Sequence, residues 1–394
     1  MRILLLVSTR VYSTVETYYS NICDGVTEAA RELGHEVLQC RYAEPTQATE
    51  AEQKALYRML ADQPCDLAID LCCWGCGLSA LKVWDGSAQG EFIFDAADMA
   101  YVGLMLDQPW FQPVPAMHAS RLYLGTSDRD GPEQVSLVYP GQAVRATLFV
   151  PPAARAANSR ALPFRERDID VLYAGNLRPS VLDRPWRATP GRELCDAAAD
   201  AAMASPDIAL HRVVVDTLRR LGREPSPQLV LEVLRPVDDF TRNHRRVQAV
   251  RAAAASGAAV HVFGNGWQEV ALPDNVVLHP ETQDYGGLLS AAGRSRICLD
   301  SSSYVGGAND RIFNYAVNCA YCVTNASAFP REVFGEDGGM GFYSMSGLPD
   351  LGEALRQALA HPDTLAQKGA RAAETALATQ TWRSRLQNVL AGLD

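Results

Sequence analysis

Short, continuously apolar runs alternate with longer stretches of helical periodicity along most of the chain. Arg2–Val7, Asp66–Cys73, Tyr101–Leu106 and Arg121–Gly125 lack the every-second-residue alternation of a half-exposed strand. Runs of that length and character suit strands covered on both faces. Between them, Tyr18–Leu33 repeats its apolar positions at helical spacing and stops at Gly34, after which His35–Cys40 resumes as a strand. A polar helical pattern follows from about Gln47 to Ala61. Strands separated by helices require right-handed crossovers, and therefore a parallel sheet.

The rhythm breaks at Phe149–Asn158, where Pro151 and Pro152 remove main-chain donors, as suits an interdomain linker. It restarts at Asp170–Gly175. A helical region rich in Ala, Arg and Leu spans about 191–256, and strand signals return at Ala259–Phe263, Val276–His279, Arg296–Asp300 and Tyr321–Thr324. Helices are predicted at about Tyr285–Ala292 and Asp310–Asn318, and the tail Leu348–Leu393 reads as two or three more. The pattern predicts an α/β protein of two tandem Rossmann-like, doubly wound domains facing a central cleft. Their bounds are 1–152 and 160–377, the second carrying a helical insertion at about 191–256. Ligands of such sheets bind beyond the carboxyl ends of the strands, so the loops after the strands are where chemistry is expected.

Composition narrows the classes. Apolar residues are 47% and charged residues 21% of 394, which excludes a disordered chain. The net charge of −10 disfavours nucleic acid as a partner and limits membrane contact to a peripheral one. The basic run Arg242-Asn243-His244-Arg245-Arg246 with Arg251 either meets an anionic acceptor or a membrane surface, or is a solvated helix face, the commoner case. No apolar stretch approaches the ~18–20 residues of a membrane span. The apolar block after Met1-Arg2 is short and has no small-residue cleavage site behind it. A cytoplasmic location is expected. Of ten cysteines, only Cys73 and Cys76 have zinc-knuckle spacing and no second pair follows, so the Cys65–Cys76 cluster reads as small buried hydrophobes.

Four loops carry candidate binding residues. In Tyr173–Pro179 a strand ends at Gly175, followed by Asn176 and Arg178; glycine lets main-chain N–H groups near an anion and arginine offers a fork to phosphate. In His261–Trp267, Gly264 and Gly266 form an incomplete dinucleotide fingerprint, and Trp267 either packs in the core or stacks on a ligand. The first strand of the chain ends in Val7-Ser8-Thr9-Arg10 without glycine, which argues against a nicotinamide enzyme. The third loop, Cys298–Ala316, contains Tyr304 and Gly306-Gly307 and enters a helix at Asn309 or Asp310, both good N-caps, with Arg311 beside them. A capped helix start and a cation together suit a diphosphate. The fourth, Val276–Thr282, stops at His279-Pro280, which either presents main-chain groups to a nucleobase or is a structural turn.

The order Tyr173–Pro179, His261–Trp267, Val277–Pro280, Leu299 to Arg311-Ile312-Phe313 and Val323-Thr324-Asn325 resembles the C-terminal donor domain of GT-B glycosyltransferases. It is most similar to the bacterial CgeB-like, spore-maturation-type branch, over about 168–360. Arg331-Glu332-Val333-Phe334 and Leu106-Asp107-Gln108-Pro109 are similar to further stretches of that family. The resemblance implies a hexosyltransferase that moves a sugar from a nucleotide-diphosphate donor to a protein, glycan or lipid-linked acceptor, with no metal and no cofactor. It implies that Arg311, Asn309, Asp310 and Arg178 meet the diphosphate, that Gly264 and Gly266 let the backbone approach, and that His279 and Pro280 border the base. It also implies that a last helix, about 378–394, packs back on the first domain. The sequence departs from the family at Asn314, where the pattern has a ribose-binding Glu, and at Gly307, where many retaining relatives have an acid. On the acceptor side Asp107 is the leading candidate base and His118 the second, with Asp70 and Asp95 behind them; the analogy leans towards retention, which needs no base. A catalytically silent nucleotide-sugar-binding scaffold is the alternative, and a sugar-nucleotide epimerase the third reading.

Overall fold

The structure, a computed structural model, describes residues 1–8, 13–43, 49–83, 90–155, 161–279, 285–335 and 337–393, with 13–18 described by backbone alone. It divides into two units: Met1–Arg155 with Thr381–Asp394, and Ala156–Gln380. No helix among the described residues is long and apolar enough to cross a membrane.

The first unit is built on β1 (Arg2–Ser8), β2 (Glu36–Tyr42) and β3 (Leu67–Leu71), a short antiparallel pair β4 (Lys82–Val83) and β5 (Glu91–Phe92), then β6 (Ala100–Leu104), β7 (Leu122–Thr126) and β8 (Ala146–Phe149). The main sheet is parallel throughout, in the order β2-β1-β3-β6-β7-β8. β3, β6 and β7 are buried at every position, which explains their uninterrupted apolar character. The core joins Ile3, Leu5 and Val7 to Ile69, Val102 and Leu104, and to Trp382, Leu386 and Val389 of the last helix, Trp382–Ala391. A Cβ at Gly25 would stand 2.4 Å from Trp382 Cδ1, so a bare backbone there admits the indole. Arg385 Nε donates to Pro151 O at 2.8 Å and Tyr123 Oη to Leu393 O at 2.9 Å, fastening this helix to the first unit.

Two sequence expectations change here. The run predicted to continue as a strand to Cys73 ends at Leu71, because Cys72 and Cys73 both turn left-handed, at φ 58° and 55°. They do not alternate across a sheet. Strand β8, which ends where the predicted linker begins, was not predicted; its residues are all half-buried and so give only a weak apolar signal.

The second unit holds β9 (Ile169–Ala174), β10 (Val260–Phe263), β11 (Val276–His279), β12 (Ser295–Leu299), β13 (Tyr321–Asn325) and β14 (Gly341–Tyr343), parallel in the order β11-β10-β9-β12-β13-β14. The helical insertion resolves into helices Arg192–Ala204, Leu210–Arg220 and Pro227–Ala254, the last capped by Ser226. Chain order reverses direction between β9 and β12, as it does between β1 and β3 in the first unit. Such a reversal sends successive crossovers to opposite faces and leaves a crevice beyond the strand ends.

Candidate functional site

The crevice of the second unit lies where β9 gives way to Gly175 and β12 to Asp300. Apart from Asp170, β9 is apolar and buried up to Ala174. Its exit loop is laced to that of β10: Gly175 N donates to Phe263 O at 2.9 Å, Leu177 N to Asn265 O at 2.8 Å, and Asn265 N to Asn176 Oδ1 at 3.0 Å. A Cβ at Gly264 would lie 2.4 Å from Gly175 O, and one at Gly266, where φ is +87°, would lie 2.1 Å from Leu177 O. Both glycines are thus required by the contact between two loops. Trp267 is fully buried, and its indole N–H donates to Gly175 O at 2.7 Å. Of the two roles the sequence left open, the ring takes the core one and props up the Gly175 loop from inside.

On the other side of the reversal, Asn309 caps helix Asp310–Val317, its Oδ1 accepting from Arg311 N at 3.1 Å. Asn309 Nδ2 donates to both oxygens of Asp300 at 3.1 Å, and Thr324 Oγ1 donates to Asp300 Oδ2 at 3.2 Å. Arg311 completes this buried group. Its Nε stands 3.1 Å from Asp300 Oδ1 and its Nη1 donates to Ala174 O at 2.6 Å. Burial opposes the charge, but the neighbouring Asp300 outweighs it and holds the Arg311 pKa above the ordinary arginine value. The Arg311 guanidinium is therefore engaged in an ion pair that ties β12 to the end of β9.

Arg246, on helix Pro227–Ala254, was not among the residues expected at the site. Its Nη1 donates to Asn176 O, and its Nε is buried without a hydrogen-bond partner among the described residues. A Cβ at Gly175 would be 3.1 Å from Arg311 Nη1 and 3.8 Å from Arg246 Nε, so the two guanidinium groups flank that glycine. Burial lowers the Arg246 pKa to about 10, and the charges of Arg311 and Arg242 add to this. The basic run 242–246 was the one available signal, but only packing distinguishes Arg246 from its neighbours.

The remaining expected residues fall as follows. Arg178 is exposed and paired with Asp239, while its main-chain N–H donates to Asn243 Oδ1 at 2.8 Å. Asp310 is buried and accepts from Tyr285 Oη, and Asn314 Nδ2 donates to Tyr285 Oη at 2.8 Å and to Asp310 O at 3.0 Å. Asn314 is only 4% exposed and serves to hold Tyr285 and Asp310 in place. Tyr304 is buried, with its N–H donating to Ser302 Oγ at 3.1 Å. His279 closes a stack of rings, 4.3 Å from Phe263 and 5.1 Å from His261, with His261 Nδ1 and His279 Nε2 3.0 Å apart. Partial burial lowers the pKa of both histidines. Pro280 lies outside the described residues.

In the first unit, Asp107 is exposed just beyond β6. His118 stacks on Phe92 at 4.6 Å, and its N–H donates to Ser79 Oγ at 3.0 Å. It lies in the segment that precedes β7. Asp95 is engaged, its Oδ1 accepting from Ser120 N at 2.7 Å and from Ser120 Oγ at 2.9 Å. Asp70 is wholly buried on β3, accepting from Gly75 N at 3.0 and 2.9 Å and from Tyr101 Oη at 2.6 Å; burial lifts its pKa to about 7 against the pull of those bonds.

Residues 242–391, less than half of the chain, match a family model described as "Glycosyl transferase-like". A search of curated proteins finds no match. Several solved structures are similar over nearly the whole chain. Sucrose-phosphate synthase from Thermosynechococcus elongatus aligns with 99% of this chain and 97% of its own, at 12% identity and a TM-score of 0.54. An α-glucosyltransferase solved with UDP and a 13-mer DNA aligns with 100% of this chain and 99% of its own, at 10% identity and a TM-score of 0.56. Anabaena HepE, solved with UDP, aligns with 100% and 99%, at 10% identity and a TM-score of 0.52. At these identities the likeness is one of fold. The two Rossmann-like parallel sheets are those of the GT-B architecture.

Proposed function

We propose that this chain is a metal-independent glycosyltransferase of hexosyl type, of the bacterial CgeB-like branch and cytoplasmic, which takes its sugar from a nucleotide-diphosphate donor held by the second unit. The observation that carries the reading is the convergence at the β9/β12 reversal: the glycine loop at 175, the capped helix at Asn309, and the Arg246 guanidinium, with Arg311 paired to Asp300 behind it. Departure of a nucleoside diphosphate builds negative charge on the leaving group. Fixed donors aimed at that charge stabilise it without reorganising at the moment of reaction. The glycosyltransferase-like family match and the UDP bound to two of the similar structures support the same reading.

Within this proposal, the ring stack Phe263–His279–His261 borders the base. The Asp310 carboxylate, held by Tyr285 one turn before Asn314, takes the hydroxyl-accepting part that a glutamate at 314 would play. The acceptor, a protein, glycan or lipid-linked group, is met by the first unit, where exposed Asp107 is the candidate base if the reaction inverts. The absence of an acid at Gly307 and Asn314 favours a second reading, a silent nucleotide-sugar-binding scaffold.

A panel of UDP-, GDP- and dTDP-sugars incubated with the whole protein in EDTA separates the two. Donor hydrolysis or transfer is expected. Tight binding without turnover supports the scaffold, interconversion of donors supports an epimerase, and turnover that EDTA abolishes overturns metal independence.

A further inference from the structure

We infer that Arg246 supplies the charge that a donor's diphosphate meets, and that Arg311 is a positioning residue which joins the two halves of the second sheet; this rests on the donor reading above. Two guanidinium groups flank the end of β9, and Arg242 lies one helical turn before Arg246. Arg242 Nη2 is 2.7 Å from Asp238 and Arg311 Nε is 3.1 Å from Asp300. Arg246 has no carboxylate within ion-pair distance among the described residues. Its one hydrogen bond goes to a main-chain carbonyl, Asn176 O, and its Nε has none. Partly burying a cation next to two others, without a counter-ion, is costly unless an anion completes it.

The geometry indicates what kind of anion. A guanidinium recognises two oxygens in one plane, as phosphate presents them. Arg246 reaches Gly175 and Asn176, at the mouth of the crevice where strand order reverses. The missing side chain at position 175 leaves room beside both guanidinium groups, since a Cβ there would already be 3.1 Å from Arg311 Nη1. Arg311 is committed on two sides and Asp300 is 1% exposed, so removing Arg311 leaves a buried carboxylate without its cation. Removing Arg246 leaves no buried anion behind. The two arginines therefore respond in opposite ways to the same substitution.

The test uses the whole protein, with calorimetric titration of UDP and of inorganic pyrophosphate and a parallel melting curve. Arg246→Met is expected to weaken both ligands at least tenfold and to leave the melting temperature equal or higher. Arg246→Lys, a point charge without the fork, is expected to recover part of the loss. Arg311→Met is expected to lower the melting temperature by several degrees. Should Arg246→Met also melt early, Arg246→Lys decides: weakened binding in a stably folded protein upholds the inference, and unchanged binding overturns it. Pyrophosphate binding to Arg246→Met at wild-type strength also overturns it, as does an Arg311→Met protein that loses binding at an unchanged melting temperature. If the wild-type protein binds neither pyrophosphate nor UDP, GDP or dTDP, the donor reading itself fails, and the inference with it.

Discussion

Replacing Asp70 by asparagine should stabilise the first unit in mild alkali and change it little in acid. Asp70 is 0% exposed, and its carboxyl titrates at about 7, where an ordinary aspartate titrates at 3.8. Burial is the larger cause; the bonds from Tyr101 Oη and Gly75 N pull the other way without cancelling it. The unfolded chain has no such burial and loses this proton near the ordinary value. Below that value the carboxyl is neutral in both states and contributes no pH dependence. Between the two values the folded chain keeps a proton that the unfolded chain has released, so stability falls as pH rises. Above about 7 the penalty is complete, on the order of 4 kcal/mol. Asparagine carries no charge, and its carbonyl oxygen can still accept from Gly75 N and Tyr101 Oη, so this slope disappears. The assay is urea denaturation from pH 5 to pH 9, read by hydrogen exchange of first-unit peptides. The variant should gain on the wild type through pH 5–7 and level off above. A difference that stays flat across that interval, or grows in the opposite direction, would refute the account.

Two further substitutions test how the units are held. Trp267→Phe keeps a ring in the core but removes the donor to Gly175 O, and should cost about 1–3 kcal/mol in chemical denaturation while weakening UDP binding through the displaced loop. Trp382→Ala empties the space over Gly25 and should cost about 3–5 kcal/mol, with faster hydrogen exchange confined to first-unit peptides; equal loss of protection in the second unit would contradict the division of the chain.

What the sequence determined by itself was whatever depends on neighbours along the chain. Strands such as Leu67–Leu71 and Ala100–Leu104 were legible because both their faces are buried, so every position is apolar. The helix start at Asn309 was legible because a cap is a contact across two residues. The edge strands Ala146–Phe149 and Gly341–Tyr343 were not, since a half-buried edge is held through main-chain bonds that demand little of its side chains. Tertiary structure decided the rest of the site. Gly264 and Gly266 stood out as a motif, but their necessity comes from Gly175 and Leu177, which lie far away in sequence. The pairing of Arg311 was not legible, because Ala174 and Asp300 reach it only once β9 and β12 lie side by side. Arg246 could not be told from the arginines next to it until the packing of its helix turned one of them towards Asn176 and left it without a counter-ion among the described residues. Charge compensation is a property of distances in space, and the order of residues alone does not specify those distances.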